Sequence, residues 1–401
     1  SYTFSNLTMN HEYTIQVYAK DTLGYESNEE TIKVTTDNYV NPVVNSVTAT
    51  NVSNDSITVS VNANGGTNNI QNYYYSINNG SYTSSNSNTY TFSGLSAGTS
   101  YSIRVYVKDT NGVSSNVYTI NAETESVVYL ADVCSNGNNL ASCITNFYNT
   151  YRTDATKLYY HNSSLANGAG DNSYRYAGES DEVNNYVCFG STASTCPSDN
   201  LYRIIGVFGN QVKLIKNTSY GSYAWDSGNS NLWNETTKPD IYTTLNDTYY
   251  NSLETTWRNM IATQTFKVGG MTSSFSYTAK NYYDREIGSS SSSTTDRMKI
   301  GLMYISDYGF AVTPEYWTES LWNYSDTTLK SNNWMYAGIY EWSISRNSSY
   351  RNDAFALYSG GRANSDYGVS SSRAVRPVFY LTSSTTYVSG SGSSADPMRI
   401  N

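Results

Sequence analysis

Eleven residues of this chain recur at one fixed offset. Leu7, Tyr13, Ile15, Val17, Tyr18, Lys20, Asp21, Thr22, Gly24, Ser27 and Asn28 reappear 88 positions later as Leu95, Tyr101, Ile103, Val105, Tyr106, Lys108, Asp109, Thr110, Gly112, Ser115 and Asn116. A fixed period marks a tandem array, and 88 residues is the length of a small β-sandwich rather than of a solenoid unit. Within the unit, Ser56-Ile-Thr-Val-Ser-Val-Asn62 and Tyr101-Ser-Ile-Arg-Val-Tyr-Val107 alternate apolar with polar residues, as half-buried strands do. Asn-Gly and Gly-Gly pairs punctuate them as turns. The period stops after Thr124, which divides the chain into 1–37, the second half of one module, 38–125, a complete module, and 126–401, a segment of different grammar.

In that last segment Leu140, Ile144, Phe147 and Tyr151 repeat at helical spacing, and so do Leu245, Tyr249, Leu253, Trp257 and Ile261 across Thr244 to Thr263. Tyr202–Phe208 and Gln211–Lys216, joined by Gly-Asn, predict a two-residue hairpin. Lys299–Ile305 and Ala374–Leu381 predict further strands, the latter at an edge or bulge because Pro377 lacks a ladder donor. The Ser289–Thr295 run predicts a flexible loop. Strands, few helices and long polar connections together describe an α+β domain.

Composition narrows the function classes. A net charge of −9 leaves no positive surplus for phosphates, which argues against nucleic-acid binding. No run of about 18 apolar residues is present to cross a membrane. Tyrosine supplies 41 residues, 13 of them before position 126 and 28 after, so its enrichment is uniform and does not mark a site. Of the three pairings open to the four cysteines, Cys134–Cys143 and Cys188–Cys196 close the shortest loops. Two such disulfides imply an extracellular setting; the alternative is four unpaired residues in a reducing compartment. The opening residues show no signal-peptide pattern, and the chain reads as a fragment.

The run Phe92-Ser-Gly-Leu-Ser-Ala-Gly-Thr-Ser-Tyr101-Ser-Ile-Arg-Val-Tyr resembles the end of a fibronectin type III domain, although the tryptophan usual in the second strand is not evident. The resemblance implies a spacer in which the hydroxyls of Tyr13 and Tyr101 tie back to nearby backbone as tyrosine corners. Tyr73, Tyr74 and Tyr75 read as alternate faces of one strand. Tyr186-Val-Cys-Phe-Gly190, Cys196-Pro-Ser-Asp-Asn-Leu-Tyr-Arg-Ile-Ile-Gly-Val-Phe208, Ile300–Gly309, Glu341-Trp-Ser-Ile-Ser345, Ala374–Leu381 and the closing Asp396-Pro-Met-Arg-Ile400 resemble a family of secreted proteins of gut Firmicutes-type bacteria. In that family the module follows immunoglobulin-like or fibronectin-like repeats. More distantly it resembles the C-type-lectin fold shared by formylglycine-generating enzymes and the variable proteins of diversity-generating retroelements.

The resemblances imply fibronectin type III-like sandwiches followed by a C-type-lectin-like α+β head over 126–401. The head would bind through loops before the last strand: Trp342, Arg346, Asn347, Tyr350, Arg351, Asn352, Tyr358, Arg362, Asn364, Asp366, Tyr367 and Arg373. Tyr and Arg bring contact area and planar hydrogen bonding, and Ser, Gly and Asn adapt to a partner. Trp342, Ala354, Phe355, Leu357, Val369, Val375 and Arg376 would form the frame. The alternative for 346–373 is an ordinary solvated hairpin. The expected role is a bacterial cell-surface adhesin that binds a protein or glycan, its late loops diversified by a retroelement, with no enzymatic activity and no cofactor beyond a structural calcium in an Asp/Asn-rich loop. Formylglycine chemistry needs late cysteines, and none follows Cys196. His11 and His161 lie in different modules and read as surface residues. Asp284 with Glu286, or Glu179 with Glu182, would serve a glycan or cell-wall hydrolase only if they faced each other at about 5–10 Å, and otherwise read as solvated charge. A structural surface-layer subunit is the other competing role.

Overall fold

The computed structural model describes residues 1–272, 274–288 and 294–401; for Asp154, Ser365, Asp366 and Tyr367 it describes the backbone alone. The chain divides into two compact units, Ser1–Val127 and Val128–Asn401.

In the first unit, Glu12–Val17 pairs antiparallel with Glu30–Thr35. The residues that follow build a seven-stranded sandwich. One sheet orders Val43–Val52, Ile57–Asn64 and Thr89–Phe92; the other orders Thr83–Ser85, Ile70–Ile77, Ser100–Asp109 and Tyr118–Glu123. Alternation places Val59, Val61, Tyr101, Ile103, Val105 and Val107 in one core. Tyr75 is buried with them, while Tyr74 stacks on Tyr106, as alternate strand faces require.

The repeat is a repeat of hydrogen bonds. Tyr13 Oη accepts from the Thr8 N–H and Tyr101 Oη from the Ser96 N–H, both at 2.8 Å. Asp21 Oδ1 caps the N–H groups of Leu23 and Tyr25, and Asp109 Oδ1 those of Asn111 and Val113. Ser27 Oγ accepts from Ala19, and Ser115 Oγ from Val107. These corner and turn contacts explain why Tyr, Asp and Ser keep register across 88 positions while neighbours drift. Burial is not repeated: Val17 is 60% exposed and its counterpart Val105 is 0% exposed.

The second unit opens with a helix, Leu140–Thr156, whose Asn139 N-cap accepts from the Ser142 N–H at 3.0 Å. Among the described residues its larger sheet orders Leu158–His161, Ser173–Tyr176, Leu201–Phe208, Gln211–Lys216, Val378–Tyr380 and Ile300–Gly301, with Tyr186–Cys188 also on Leu201–Phe208. The predicted hairpin forms with Phe208 opposite Gln211. Gly206 lies where a Cβ would stand 2.1 Å from the Tyr174 carbonyl oxygen, so a side chain there would separate two strands. A five-stranded sheet orders Gly221–Ala224, Ser372–Val375, Glu341–Arg346, Asp353–Leu357 and Ala363–Gly368. Trp225, Trp233, Trp317 and Trp342 are fully buried, each indole N–H donating to a carbonyl or carboxylate oxygen. Both expected disulfides are present.

Three expectations need correction. The single helix over 244–263 is broken: Leu253 is extended (ψ 145°) between Tyr250–Ser252 and Thr255–Asn259, although Leu245, Tyr249, Trp257 and Ile261 all face the core. Lys299–Ile305 is a two-residue strand, Ile300–Gly301, followed by a short helix, Ile305–Gly309, because Asp307 Oδ2 caps the Tyr304 N–H. Ala374–Leu381 belongs to two sheets, changing over at Pro377, whose carbonyl accepts from the Lys216 N–H. Of the predicted flexible loop, residues 289–293 lie outside the described residues.

Candidate functional site

The five-residue strand Asp353–Leu357 separates the candidate binding residues into two groups. Before it lies the Arg346–Asn352 turn, where Asn347 is buried with its Oδ1 accepting from the N–H groups of Ser349 and Tyr350. A residue that sequence reasoning missed fixes this turn. Asn231 Nδ2 lies 2.7 Å from the carbonyl oxygens of Asn347, Tyr350 and Asp353, and its N–H donates to Arg351 O. Arg346 is half-buried, and burial lowers its guanidinium below the usual range. Tyr350, Arg351 and Asn352 are exposed at the tip.

After the strand lies a tight turn, Tyr358–Arg362. The Tyr358 N–H donates to Arg362 O, the Gly361 N–H to Tyr358 O, and the buried Tyr308 hydroxyl to Gly361 O. Gly361 sits at φ +101°, where a Cβ would meet the Tyr324 carbonyl at 2.5 Å. This anchorage holds the Arg362 guanidinium between two rings, 4.2 Å from Trp322 and 4.1 Å from Tyr358. Tyr358 continues to Tyr340 at 5.4 Å, and Arg373 lies 5.8 Å from the Tyr340 ring. On the other side Phe275, 67% exposed, meets Trp322 edge-on at 4.4 Å. Aromatic rings and guanidinium groups thus alternate across the surface of this unit.

Tyr340, Tyr358 and Arg373 wall a groove of about 630 Å³, with Ser222, Ser359 and Ser372 also on its lining. Tyr340 is 44% exposed there. Such a site offers aromatic faces for stacking, planar cationic donors and small hydroxyls.

The remaining candidates take other places. Trp342 is 1% exposed and its indole donates to Tyr223 O, so it belongs to the frame rather than to a contact surface. Asn364 is buried and donates to the Tyr358 hydroxyl at 3.3 Å, supporting the groove from beneath. The side chains of Asp366 and Tyr367 lie outside the described residues. The expected frame residues Ala354, Phe355, Leu357, Val369, Val375 and Arg376 are all buried. Trp322, which flanks Arg362, and Tyr340, which walls the groove, were missed because they lie outside any periodic segment.

The polar interior also departs from expectation. His161 is buried rather than exposed: its Nδ1 accepts from the Ala169 N–H, Phe310 and Trp317 flank it, and burial lowers its pKa well below the ordinary value. Glu286 is not solvated charge. Its carboxyl accepts from the N–H groups of Ile305 and Ser306 and from Ser345 Oγ, and burial raises its pKa to about 7. Asp284 stands apart, paired with Lys280, and Glu182 pairs with Lys157. Among the described residues no group of three or more His, Cys, Asp or Glu side chains is placed to hold a metal ion, and no helix is long and apolar enough to cross a membrane.

No family model and no curated protein matches the chain. Solved structures similar to part of it include a chitinase from Bacillus thuringiensis, at 20% identity over 21% of this chain, with TM-score 0.19. The chain spans 14% of that chitinase. Domains d3-d4 of the rat CD45 extracellular region match at 19% identity over 31% of this chain and 69% of theirs, with TM-score 0.21. A human fibronectin type III domain matches at 22% identity over 23% of this chain and 82% of its own, with TM-score 0.19. The sandwich itself rests on the strand pairing and tyrosine corners described above.

Proposed function

We propose that this chain is the binding portion of a bacterial cell-surface adhesin, in which fibronectin type III-like sandwiches are spacers and Val128–Asn401 is a C-type-lectin-like head that binds a glycan without turning it over. The observation that carries the reading is the groove walled by Tyr340, Tyr358 and Arg373, with Arg362 clamped between Trp322 and Tyr358. The tilted rings of Tyr340 and Tyr358 offer aromatic surface to a sugar ring, while the guanidinium groups and serine hydroxyls suit its oxygens. The two disulfides accord with an oxidising compartment. Diversification by a retroelement would act on the exposed tip Tyr350–Asn352 and the Tyr358–Arg362 turn, since Ala354–Leu357 is interior; absence of a neighbouring reverse transcriptase and template copy would remove that part.

The test is a glycan array probed with the full chain, followed by the Tyr340→Ala and Tyr358→Ala variants. Binding to a defined glycan class that both variants lose, with the bound glycan recovered intact, is the expected result. Binding that survives both changes would place recognition elsewhere, and released sugar would favour the hydrolase. Self-assembly unaffected by either variant, with no glycan bound, would favour the surface-layer subunit. A protein array run in parallel reads the protein-partner alternative.

A further inference from the structure

Away from the groove, Lys213 and Asp307 meet in the interior of the second unit. Their side chains are 1% and 0% exposed, and Nζ lies 2.5 Å from Oδ2. Lys213 projects from the Gln211–Lys216 strand into a cage of rings, with its ammonium 5.4 Å from the Phe208 centroid, 4.7 Å from Tyr304 and 5.5 Å from Tyr380. A charged pair taken out of water must recover its lost hydration from its partner and from the few hydrogen bonds around it. Condensation replaces the two charges by one neutral amide, which such a site favours more than water does. Burial lowers the Lys213 amine against the opposing pull of Asp307, and it raises Glu286.

The surroundings of the Asp307 carboxyl distinguish its two oxygens. Oδ1 faces Arg175, whose Nη1 is 3.4 Å away while its Nη2 is held by Asp171 at 2.7 Å. Oδ2 faces Lys213 and the Tyr304 N–H. Attack by the amine on Cγ would develop negative charge on Oδ1, beside a fixed guanidinium, and would leave Oδ2 as the departing oxygen.

We propose that Lys213 and Asp307 condense to an intramolecular amide that links the Gln211–Lys216 strand to the Ile305–Gly309 helix. The Nζ–Cγ bond forms and the Cγ–Oδ2 bond breaks. Of the three protons of the ammonium in the starting pair, one remains on the amide nitrogen and two leave with Oδ2 as water. Oδ1 becomes the amide carbonyl, still facing Arg175. The step is a condensation, so no oxidant, reductant or co-reactant enters it. The bond would close a loop between positions 94 residues apart, and a thiol reductant would not open it.

Intact-mass measurement on the reduced full chain tests the proposal without any variant: the expected mass lies one water below that of the sequence. Cyanogen bromide then locates the link. Cleavage after Met9, Met260, Met271, Met298, Met303 and Met335 puts Lys213 in 10–260 and Asp307 in 304–335, with all four cysteines in the former. After reduction those two fragments should stay joined, and in Lys213→Arg and Asp307→Ala they should separate. A wild-type mass equal to that of the uncondensed sequence overturns the proposal, as does a one-water loss that maps to any other pair of fragments.

Discussion

Removing the carboxylate of Glu341 should destabilise the second unit severely, whereas removing both members of its ion pair should not. Arg376 donates through Nε and Nη2 to the two Glu341 oxygens at 2.6 and 2.7 Å, and Nη2 also donates to Met335 O. The side chains are 5% and 1% exposed, so water does not replace a lost partner. Glu341→Ala therefore leaves a guanidinium buried without its counter-ion, at a cost of about 3–5 kcal/mol. In Glu341→Met/Arg376→Met the stranded charge is gone, and the residual cost is the Met335 carbonyl, about 1 kcal/mol. All seven tryptophans lie between positions 225 and 342, so indole fluorescence follows the second unit alone during urea unfolding. With a slope of about 3 kcal/mol per molar urea, the single variant should move the midpoint down by about 1–1.7 M and the double by about 0.3 M. A single variant costing under about 1 kcal/mol, or a double variant costing as much as the single, would refute the claim that desolvation of the unpaired charge dominates.

Further outcomes follow from the same contacts. Tyr101→Phe should cost the sandwich about 1 kcal/mol in a circular-dichroism melt, since the exposed Ser96 can be rehydrated once it loses the Tyr101 hydroxyl. Glu286 holds its proton up to about pH 7 when folded, against an ordinary value of 4.5, so its contribution is complete below 4.5 and lost as pH rises to 7. Glu286→Gln should remove that decline, read as the difference between wild-type and variant urea midpoints across the window. His161 has the opposite sign: its folded pKa lies well below 6.5, so stability is full above 6.5 and falls as pH drops beneath it. His161→Phe should remove the acid-side loss in the same titration. Changing both Cys188 and Cys196 to Ser should lower stability by about 2–3 kcal/mol, measured against wild type under oxidising conditions.

What the sequence disclosed was the local structure. The 88-residue offset, the Gly209-Asn210 hairpin, the Leu140–Thr156 helix and the short cysteine loops are each set by nearby residues, whose periodicity or turn chemistry is readable in order. One failure turned on a local cap, and the others came where distant residues decide. Lys299–Ile305 looks like a strand by its apolar run, but the Asp307 cap turns it into a helix start. Ala374–Leu381 reads as one strand because nothing local shows that Pro377 stands between two sheets. The groove draws Tyr340, Tyr358 and Arg373 from three separate stretches, Trp322 beside Arg362 comes from a fourth, and Asn231 supports a turn more than 110 residues away. Burial of Glu286 and His161 was hidden for a similar reason, since polar residues in polar sequence look solvated until the rings around them are placed.

The hydrogen bonds kept by the repeat have a genetic consequence. Tyr13 reaches back five residues, Asp21 forward two and four, and Ser27 back eight, and the second copy repeats each span. The corner and turn contacts common to both copies are thus encoded within the duplicated stretch, and Asp109 adds contacts from Tyr39 and Asn68 in the second copy. A segment so built can be gained or lost by recombination between copies without a compensating change next door, which makes array length an inherited variable separable from the chemistry of the groove.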